Sequence, residues 1–221
     1  MSSTEIARRA VVYVDGFNLY FGLVEQGWRK FLWLNLSEFG SSILRDGQQL
    51  SRVKYFTSRI SGPVEKKKRQ DAYLTATRPL AAVEIHEGAY RADPIICKKC
   101  TIQVTCPDCR APWVDCHEKM TDVKIATQMF CDAMRADVDD LVLVSGDSDQ
   151  VPAIKEIRRR FKKRVIVCFP PKRYSADLAH AADDSYFADE ANYRKSQFPQ
   201  VVDLPGGFTV VKPDYWSGQQ R

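Results

Sequence analysis

The sequence lacks the features that define several common classes of protein. No apolar run approaches the ~20 residues that a membrane-spanning helix needs, and the opening segment, MSSTEIARRA, has no signal-peptide core. Across the whole sequence, no P-loop, no G-x-G-x-x-G motif and no Ser-His-Asp or Cys-His order stands out. We therefore expect a cytoplasmic protein without a membrane partner. Nothing favours a P-loop NTPase, a Rossmann-type dehydrogenase or a serine or cysteine hydrolase.

Histidine is also scarce, and the remaining composition is that of a globular domain. Only 3 histidines occur, and His86 and His180 have no evident partners, so we expect structural roles for both. The 221 residues are 44% hydrophobic, which suits one large domain, or one domain with a small appendage. Lys and Arg outnumber Asp and Glu by 33 to 28, a formal net charge of +5. This charge permits nucleic-acid binding without requiring it.

Strand-like and helix-like segments alternate along the chain. Five apolar stretches have strand character, at residues 9–14, 51–60, 81–90, 140–145 and 164–169. Helical patterns lie between them, at residues 17–28, 64–77, 121–137 and 151–161. The alternation predicts an α/β fold, a three-layer α/β/α sandwich with a central, mostly parallel sheet. We assign residues 8–196 to this domain, with an insertion at 94–118, and residues 197–221 to a C-terminal extension.

Acidic and polar residues occur where two of these strands end. Asp15 follows the first strand, and Asp147 and Asp149 follow the fourth; Asp122 begins a helix that Thr121 is expected to cap. Ligands of parallel sheets bind beyond the carboxyl ends of the strands. Clustered carboxylates repel one another unless a cation neutralises them, and Mg²⁺ and Mn²⁺ prefer oxygen ligands. The pattern predicts a Mg²⁺ or Mn²⁺ site. Its expected ligands are Asp15, Asp122, Asp147 and Asp149.

Each of these residues also has an ordinary structural explanation. Asp and Asn are common caps and turn formers where a strand passes into a helix, and SGDSD alone could be a simple turn. The metal site is favoured because acids recur at two strand ends and again at a helix start.

The cysteines form a separate pattern. Five of the seven cysteines fall between Cys97 and Cys116, which in a reducing compartment favours metal binding over disulfides. Two C-x₂-C pairs can complete a tetrahedral, structural Zn²⁺ site. Its expected ligands are Cys97, Cys100, Cys106 and Cys109. Cys116 or His117 could replace one of them. Cys131 and Cys168 are expected in the core.

Four segments resemble, in order, the motifs of the NYN domain family. They are YVDGFNLY, EKMTDVKIATQMF, LVLVSGDSDQVPAI and SADLAHAADDSYF. They are most similar to the LabA-like branch, within the PIN-like nuclease superfamily, and the resemblance runs from Val11 to Phe187. It implies a divalent-metal ribonuclease site. Matched by motif, its catalytic residues are Asp15, Asn18, Asp122, Asp147 and Asp149, with Ser145 in support.

The resemblance is incomplete at a few positions. Asp183 or Asp184, in AADD, is expected to approach the same pocket. Gln128 stands where the family often has an acid, and Gln150 replaces an apolar residue, which we expect to change only local packing. Lys119, near Asp122 in the sequence, is the cation best placed to assist.

The leading hypothesis is a metal-dependent endoribonuclease that hydrolyses RNA phosphodiester bonds. The alternative is a catalytically weak RNA-binding or regulatory module, which Gln128 would support. A haloacid-dehalogenase-type phosphatase would need an acid two residues after Asp15, where this chain has Phe17. The expected partner is RNA, single-stranded or structured, and a homo-oligomer is possible. Basic runs at residues 66–69 and 158–164 could hold the RNA backbone, although such runs are usually solvated helix faces.

Overall fold

The computed structural model of the protein describes residues 7–217, apart from the side chains of residues 90–92 and 115–119. The strands are β1 (Arg8–Asp15), β2 (Gln48–Thr57), β3 (Val83–Glu87), β4 (Ala89–Pro94), β5 (Val114–Lys119), β6 (Asp140–Val144), β7 (Arg164–Phe169), β8 (Asp184–Phe187), β9 (Val201–Asp203) and β10 (Thr209–Val211). The helices are α1 (Gly16–Glu25), α2 (Leu36–Ser42), α3 (Val64–Thr77), α4 (Thr121–Ala133), α5 (Val151–Phe161), α6 (Ala176–Ala181) and α7 (Glu190–Lys195). Single 3₁₀ turns occur at Arg29–Phe31, Ser148–Gln150 and Asp214–Trp216.

Six strands form one parallel sheet in the order β3-β2-β1-β6-β7-β8. After β1 the chain adds β2 and β3 on one side of that strand. It then crosses back and adds β6, β7 and β8 on the other side. The carboxyl ends of β1 and β6 therefore flank the point where the strand order reverses, which is where open α/β sheets bind ligands.

The side chains of β1 alternate between two apolar layers. Val12 and Val14 pack into a cluster that includes buried residues of α1, α2, α3 and α7. Val11 and Tyr13 pack into a second cluster with residues of α4, α5 and α6. Because both faces of the sheet are covered, the central strands β1, β6 and β7 are apolar over most of their buried length. The predicted three-layer α/β/α sandwich is confirmed, and its sheet is entirely parallel.

Several predicted elements differ from the structure in their limits. The first helix ends at Glu25 rather than at residue 28, and Gly27 takes a positive φ of 79° in the turn that follows. The third strand occupies only Val83–Glu87. The short elements α2 and β8 are not predicted from the sequence, because α2 has only seven residues, three of them Ser, and β8 has only four, too few to show a periodicity.

Two details of α4 also correct the sequence-based expectation. Thr121 is the first helical residue, and the cap position belongs to Met120, whose side chain makes no capping hydrogen bond. Cys131 is exposed rather than in the core. The buried side of α4 carries Ile125 and Met129, and a residue two positions beyond Met129 points away from it. Cys168 in β7 is buried as expected.

Residues 94–118 lie in a hairpin beside the sheet. Strands β4 and β5 pair antiparallel from Ala89↔Lys119 to Pro94↔Val114. Between them the chain makes two further turns, each closed by an isolated bridge, at Ile96↔Gln103 and Thr105↔Pro112. Because β5 leads directly into α4, the hairpin connects to the helix that carries Asp122.

The C-terminal segment packs on the α1–α3 side of the sheet. Strands β9 and β10 form a small antiparallel hairpin, and the buried ring of Trp216 lies 6.1 Å from that of Trp33, measured between ring centroids. Within residues 7–217, no helix is both long and apolar enough to cross a membrane.

Candidate metal centre

Asp15 is held by four hydrogen bonds at the junction of β1 and α1. Its Oδ1 accepts from the backbone N–H groups of Phe17 (3.1 Å) and Asn18 (3.0 Å). Its Oδ2 accepts from Asn18 Nδ2 (2.8 Å) and from Ser145 Oγ (2.9 Å). Asp15 is therefore the N-cap of α1 and, at the same time, a buried carboxylate at the carboxyl edge of the sheet.

Asn18 and Ser145 connect the ends of β1 and β6. While Asn18 Nδ2 donates to Asp15, its Oδ1 accepts from the backbone N–H of Gly146 at 3.2 Å. Ser145 Oγ, which donates to Asp15, accepts from the backbone N–H of Asp147 at 3.1 Å. These bonds fix the loop after β6 against the first turn of α1, so Asp147 is directed towards Asp15.

The loop after β6 needs a glycine because another loop lies directly against it. A Cβ atom on Gly146 would lie only 2.1 Å from the carbonyl oxygen of Arg173, in the loop after β7. Asp147 then caps the 3₁₀ turn that follows, where its Oδ1 accepts from the backbone N–H of Asp149 at 3.1 Å. This packing and capping hold Asp147 in place without any ion.

Asp122 completes the group from the first turn of α4. One carboxylate oxygen from each of Asp15, Asp122 and Asp147 lies within 4.8 Å of the others. We call these three residues the acidic centre. Asp15 is buried, Asp147 is half-buried and Asp122 is exposed. In the described part of the chain this is the one such group of His, Cys, Asp or Glu residues.

The electrostatics of the acidic centre are those of crowded like charges. Loss of hydration is the main cause that raises the pKa of Asp122 to about 6. The negative charges of Asp147, Asp15 and Asp149 raise it further. Burial also raises the pKa of Asp15, while its hydrogen bonds from Asn18 and Ser145 oppose that rise. A divalent cation would relieve this repulsion.

The donor set fits a hard divalent cation. All three groups are carboxylates, the ligands that Mg²⁺ and Mn²⁺ prefer, and three protein ligands leave positions for water and substrate. A carboxylate has about four lone-pair sites, and four donors already contact Asp15. An ion bound directly to Asp15 would therefore replace or share one of these hydrogen bonds, whereas Asp122 is open to solvent.

Other residues predicted for the site lie outside this group. Asp149 is exposed and is not one of the three clustered carboxylates, although its charge acts on Asp122. Asp183 accepts from the backbone N–H of Val165 (2.8 Å) and pairs with Arg158 (2.5 Å). Since Val165 lies near the start of β7, the structure places Asp183 at the opposite edge of the sheet. The side chain of Lys119 lies outside the described residues.

The two glutamines that depart from the family pattern have clear structural partners. Gln128 Oε1 accepts from Lys54 Nζ at 2.8 Å. Lys54 is buried and also pairs with Asp132 at 2.7 Å, and Asp132 accepts from Tyr13 Oη at 2.7 Å. Gln128 therefore belongs to a buried polar network on the α4 side of the sheet, and its side chain satisfies the buried lysine there.

Gln150 is a positioning residue that the sequence reasoning missed. Its side chain is buried, and its Nε2 donates to the backbone carbonyl of Asp122 at 3.2 Å. It ties the 3₁₀ turn after β6 to the first turn of α4, so two of the three acids are held together. A polar residue within an otherwise apolar helical pattern was the available signal.

The four cysteines form two similar turns. Backbone hydrogen bonds from Cys100 and Lys99 to the sulfur lower the pKa of Cys97, and those from Cys109 and Asp108 lower the pKa of Cys106. The residue after each pair, Thr101 or Arg110, has a positive φ, of 58° and 56°. No three of the four sulfur atoms lie within 4.8 Å of one another in the described structure, so the two turns are formed but not joined.

Six parallel strands between two helical layers, with three carboxylates at the point where the strand order reverses, define a nuclease-like α/β fold. A model of the NYN domain matches residues 9–190. The chain therefore belongs to the NYN domain family, which is part of the PIN-like nuclease superfamily. Membership of the LabA-like branch stays a prediction.

The chain is similar to two other proteins. The chain is 29% identical over 243 aligned residues to 6-hydroxy-3-succinoylpyridine 3-monooxygenase HspA of Pseudomonas putida, covering 96% of this chain and 76% of that protein. It also resembles the crystal structure of a protein of unknown function from Vibrio parahaemolyticus, with a TM-score of 0.52 and 22% identity. That match covers 86% of this chain and 98% of the other, and it shows the fold alone.

Proposed function

We propose that the protein is an endoribonuclease that hydrolyses RNA phosphodiester bonds with Mg²⁺ or Mn²⁺ held at the acidic centre. The observation that carries this proposal is the placement of three carboxylate oxygens within 4.8 Å of one another at the carboxyl ends of β1 and β6. A bound divalent ion there would activate water and stabilise charge on a phosphate. We place this activity in the cytoplasm.

Each residue of the centre has a distinct role in the proposal. Asp122 and Asp147 would hold the divalent ion that activates water, and Asp15 would complete the set of ligands. Asn18 and Ser145 orient Asp15 by the hydrogen bonds already described. Asp149 adds negative charge nearby without being clustered with the three. Lys119 remains the cation that we expect to assist at the phosphate.

The surroundings favour a single-stranded nucleic acid as substrate. Tyr174 and Phe187 are exposed, and their rings stack with centroids 5.9 Å apart. Tyr174 follows Arg173, whose carbonyl packs against Gly146 in the acidic loop. Exposed aromatic rings beside a phosphate-binding centre are suited to stacking unpaired bases.

The two basic runs differ in their availability. In the run at residues 158–164, Arg158 contacts Asp183, while Arg159 and Arg160 contact Glu156. The run at residues 66–69 begins α3, which follows the carboxyl end of β2. The run at residues 66–69 is therefore the better candidate to contact an RNA backbone near the acidic centre.

We also propose that Cys97, Cys100, Cys106 and Cys109 bind one structural Zn²⁺. The support is the repeated turn, in which backbone N–H groups approach the first sulfur of each pair and stabilise the thiolate. Zinc would draw the two turns together, because a tetrahedral site needs all four sulfurs around one ion. Four thiolates leave no open position, so this ion would not take part in hydrolysis.

A cleavage assay tests the nuclease proposal. Labelled single-stranded RNA is incubated with the protein in Mg²⁺, in Mn²⁺ or in EDTA. We expect cleavage in either metal, none in EDTA, and a loss of about 100-fold or more in an Asp122→Asn variant. Asp203→Asn, which removes an exposed carboxylate from the β9 hairpin, is the matched control and should cleave normally. Metal-independent cleavage, or equal rates in both variants, would contradict the proposal.

The regulatory alternative predicts RNA binding without cleavage in the same assay. Gln128 no longer favours it, since that side chain is engaged by Lys54. A second candidate function is oxidation of a small aromatic acid. It follows from the relative named as a 6-hydroxy-3-succinoylpyridine 3-monooxygenase and from an aromatic cavity beside the acidic centre. Oxygen-dependent consumption of that compound in the presence of an electron donor, unaffected by Asp122→Asn, would support it over RNA hydrolysis.

A further inference from the structure

A cavity of about 270 Å³ opens on the α1 side of the sheet, next to the acidic centre. Its walls come from α1, from the carboxyl end of β2 and from α3. Gly16 and Phe17, the two residues after Asp15, belong to the wall. A Cβ atom on Gly16 would lie 2.6 Å from the carbonyl oxygen of Phe56 and 2.8 Å from the ring of Tyr55. This close approach packs the start of α1 against the carboxyl end of β2, and Gly16 links the cavity wall directly to Asp15.

Aromatic rings form much of the cavity surface. Phe17 and Tyr20 reach it from α1, Tyr55 from β2, Tyr73 from α3 and Trp216 from the C-terminal turn. Tyr20 is 38% exposed, so one aromatic wall is reachable from solvent. Flat aromatic surfaces favour a planar ring as occupant, because stacked and edge-to-face ring contacts add to the apolar contact area.

Two cations of α3 also line the cavity. Arg69 is half-buried and Lys66 is exposed. The guanidinium of Arg69 lies 4.4 Å from the centre of the Tyr215 ring. Among the side chains that the structure describes, no carboxylate lies within salt-bridge distance of either cation, and the nearby Glu65 pairs with Lys68 instead. Both charges are available to an anion.

We propose that this cavity binds a planar aromatic ring that carries an anionic group, with the ring among Phe17, Tyr20 and Tyr55 and the anion on Arg69 and Lys66. Such a ligand has two sources, the base and phosphate of a nucleotide or a free aromatic acid. The inference goes beyond the proposed hydrolysis, since binding here needs no metal and no cleavage.

Calorimetric titrations of the full chain, in buffer without Mg²⁺ or Mn²⁺ and without a chelator, test the proposal. The probes are adenosine 5′-monophosphate and pyridine-3-carboxylate, each paired with a neutral analogue, adenosine or pyridine-3-carboxamide. We expect saturable binding of at least one charged probe. Arg69→Gln should weaken binding of that charged probe about tenfold or more. Binding of its neutral analogue should change little. Arg159→Gln, the same change on α5, is the matched control and should bind like the wild type.

The ranking of the probes identifies the source. Tighter binding of the nucleotide, with competition by an RNA oligomer, would assign the cavity to a nucleotide of RNA. Tighter binding of pyridine-3-carboxylate would assign it to a free aromatic acid. A Tyr20→Leu variant should weaken binding of both the charged probe and its neutral analogue, because an aromatic ring that stacks on the ligand is lost. If neither charged probe binds, or if Arg69→Gln and Arg159→Gln behave alike, the proposal is overturned. Since no Mg²⁺ or Mn²⁺ is present, these outcomes do not depend on whether RNA is cleaved.

Discussion

The acidic centre and the cysteine hairpin both collect metal-binding residue types, but the polypeptide assembles them to different degrees. At the acidic centre, the hydrogen bonds of Asn18, Ser145 and Gln150 bring together residues from β1, β6 and α4. In the hairpin, each C-x₂-C turn is formed, yet the two turns are not brought into one group of sulfur atoms. The sheet brings the acids together, whereas the hairpin does not by itself bring its four sulfur atoms together.

This difference follows from what surrounds each set. The acids stand at the ends of buried strands, so the apolar layers on both faces of the sheet oppose their mutual repulsion. The cysteines stand in a hairpin whose turns are largely exposed, where little apolar surface can be buried. Metal binding and folding should therefore be coupled in the hairpin and largely independent at the acidic centre.

The largest expected effect comes from mutating the acidic centre and the cysteine hairpin separately. Asp147→Asn should reduce RNA cleavage by about 100-fold or more, while folding and RNA affinity stay nearly unchanged or affinity rises slightly, because a negative charge near the phosphate is removed. The measurements are single-turnover cleavage at saturating enzyme and RNA binding without divalent metal.

The double variant Cys97→Ser with Cys100→Ser should instead weaken the hairpin or RNA binding, and turnover should fall only as a consequence. If this cysteine variant binds RNA normally yet cleaves nothing, while Asp147→Asn stays active, the roles of the two sites are reversed.

Zinc removal should give the next largest effect. Protein prepared without chelators should contain about one Zn²⁺ per chain by elemental analysis. After chelation, hydrogen exchange at residues 97–110 should accelerate about tenfold or more, whereas amides of β1 and β6 should change little, since the sheet has its own core. Cys131→Ser, on the exposed side of α4, is the control. Absence of zinc in the purified protein, or equal loosening of the sheet, would count against the site.

A smaller effect should appear in the pH dependence of metal binding. The pKa of Asp122 is raised to about 6, so a proton competes with the metal ion below that pH. Mn²⁺ affinity should be nearly constant above pH 7 and fall towards tenfold per unit below pH 6. Without metal, the free energy of unfolding should instead rise as the pH falls from about 6 to about 4. Protonation of Asp122 in that range favours the folded state, because its pKa is higher there than in the unfolded chain. Calorimetry from pH 5 to pH 8 measures the first effect, and an unchanged slope in Asp122→Asn would contradict its assignment.

The smallest expected effect is that of Ser145→Ala. The change removes one of the four donors to Asp15 and the acceptor for the backbone N–H of Asp147. We expect a loss of about 1 to 2 kcal/mol in the free energy of unfolding and a several-fold lower cleavage rate. Denaturant unfolding and cleavage kinetics measure both, with Ser148→Ala as the exposed control in the same loop. A rate loss as large as that of Asp147→Asn would mean that Ser145 contacts the substrate.

The sheet and the acids could be predicted because their signals are local. β1 and β6 each contain a continuous apolar run, and an acid ends β1 while another lies three residues beyond β6, so strand and site are visible together. Asp122 could be expected from its place at the start of a predicted helix and from the family motif, but its approach to Asp15 and Asp147 depends on how α4 packs. Asp183 also lies in a segment that resembles a family motif, yet its pairing with Arg158 holds it at the other edge of the sheet.

The supporting contacts could not be predicted from the sequence. The bond from Gln150 to the carbonyl of Asp122 joins two residues that are 28 positions apart in the chain. From the sequence alone Lys54 would be expected to be exposed, whereas the fold buries it beside Asp132 and Gln128. Neither follows from periodicity, because each depends on the relative placement of two elements. The short strand β8 was missed for the opposite reason, since four residues carry no period that can be measured.

The double use of Asp15 has a consequence for tracing how activity is gained and lost among related chains. Its carboxylate caps α1 and joins β1 to β6, so a descendant that abandons catalysis still needs it to fold. Asp122 and Asp147 carry less of that structural demand. We therefore expect inactive members of the family to keep the acid at the end of the first strand and to lose one of the other two. Under the proposed function, the first-strand acid marks the fold, and we expect the acid that begins α4 to be the better indicator of an active nuclease.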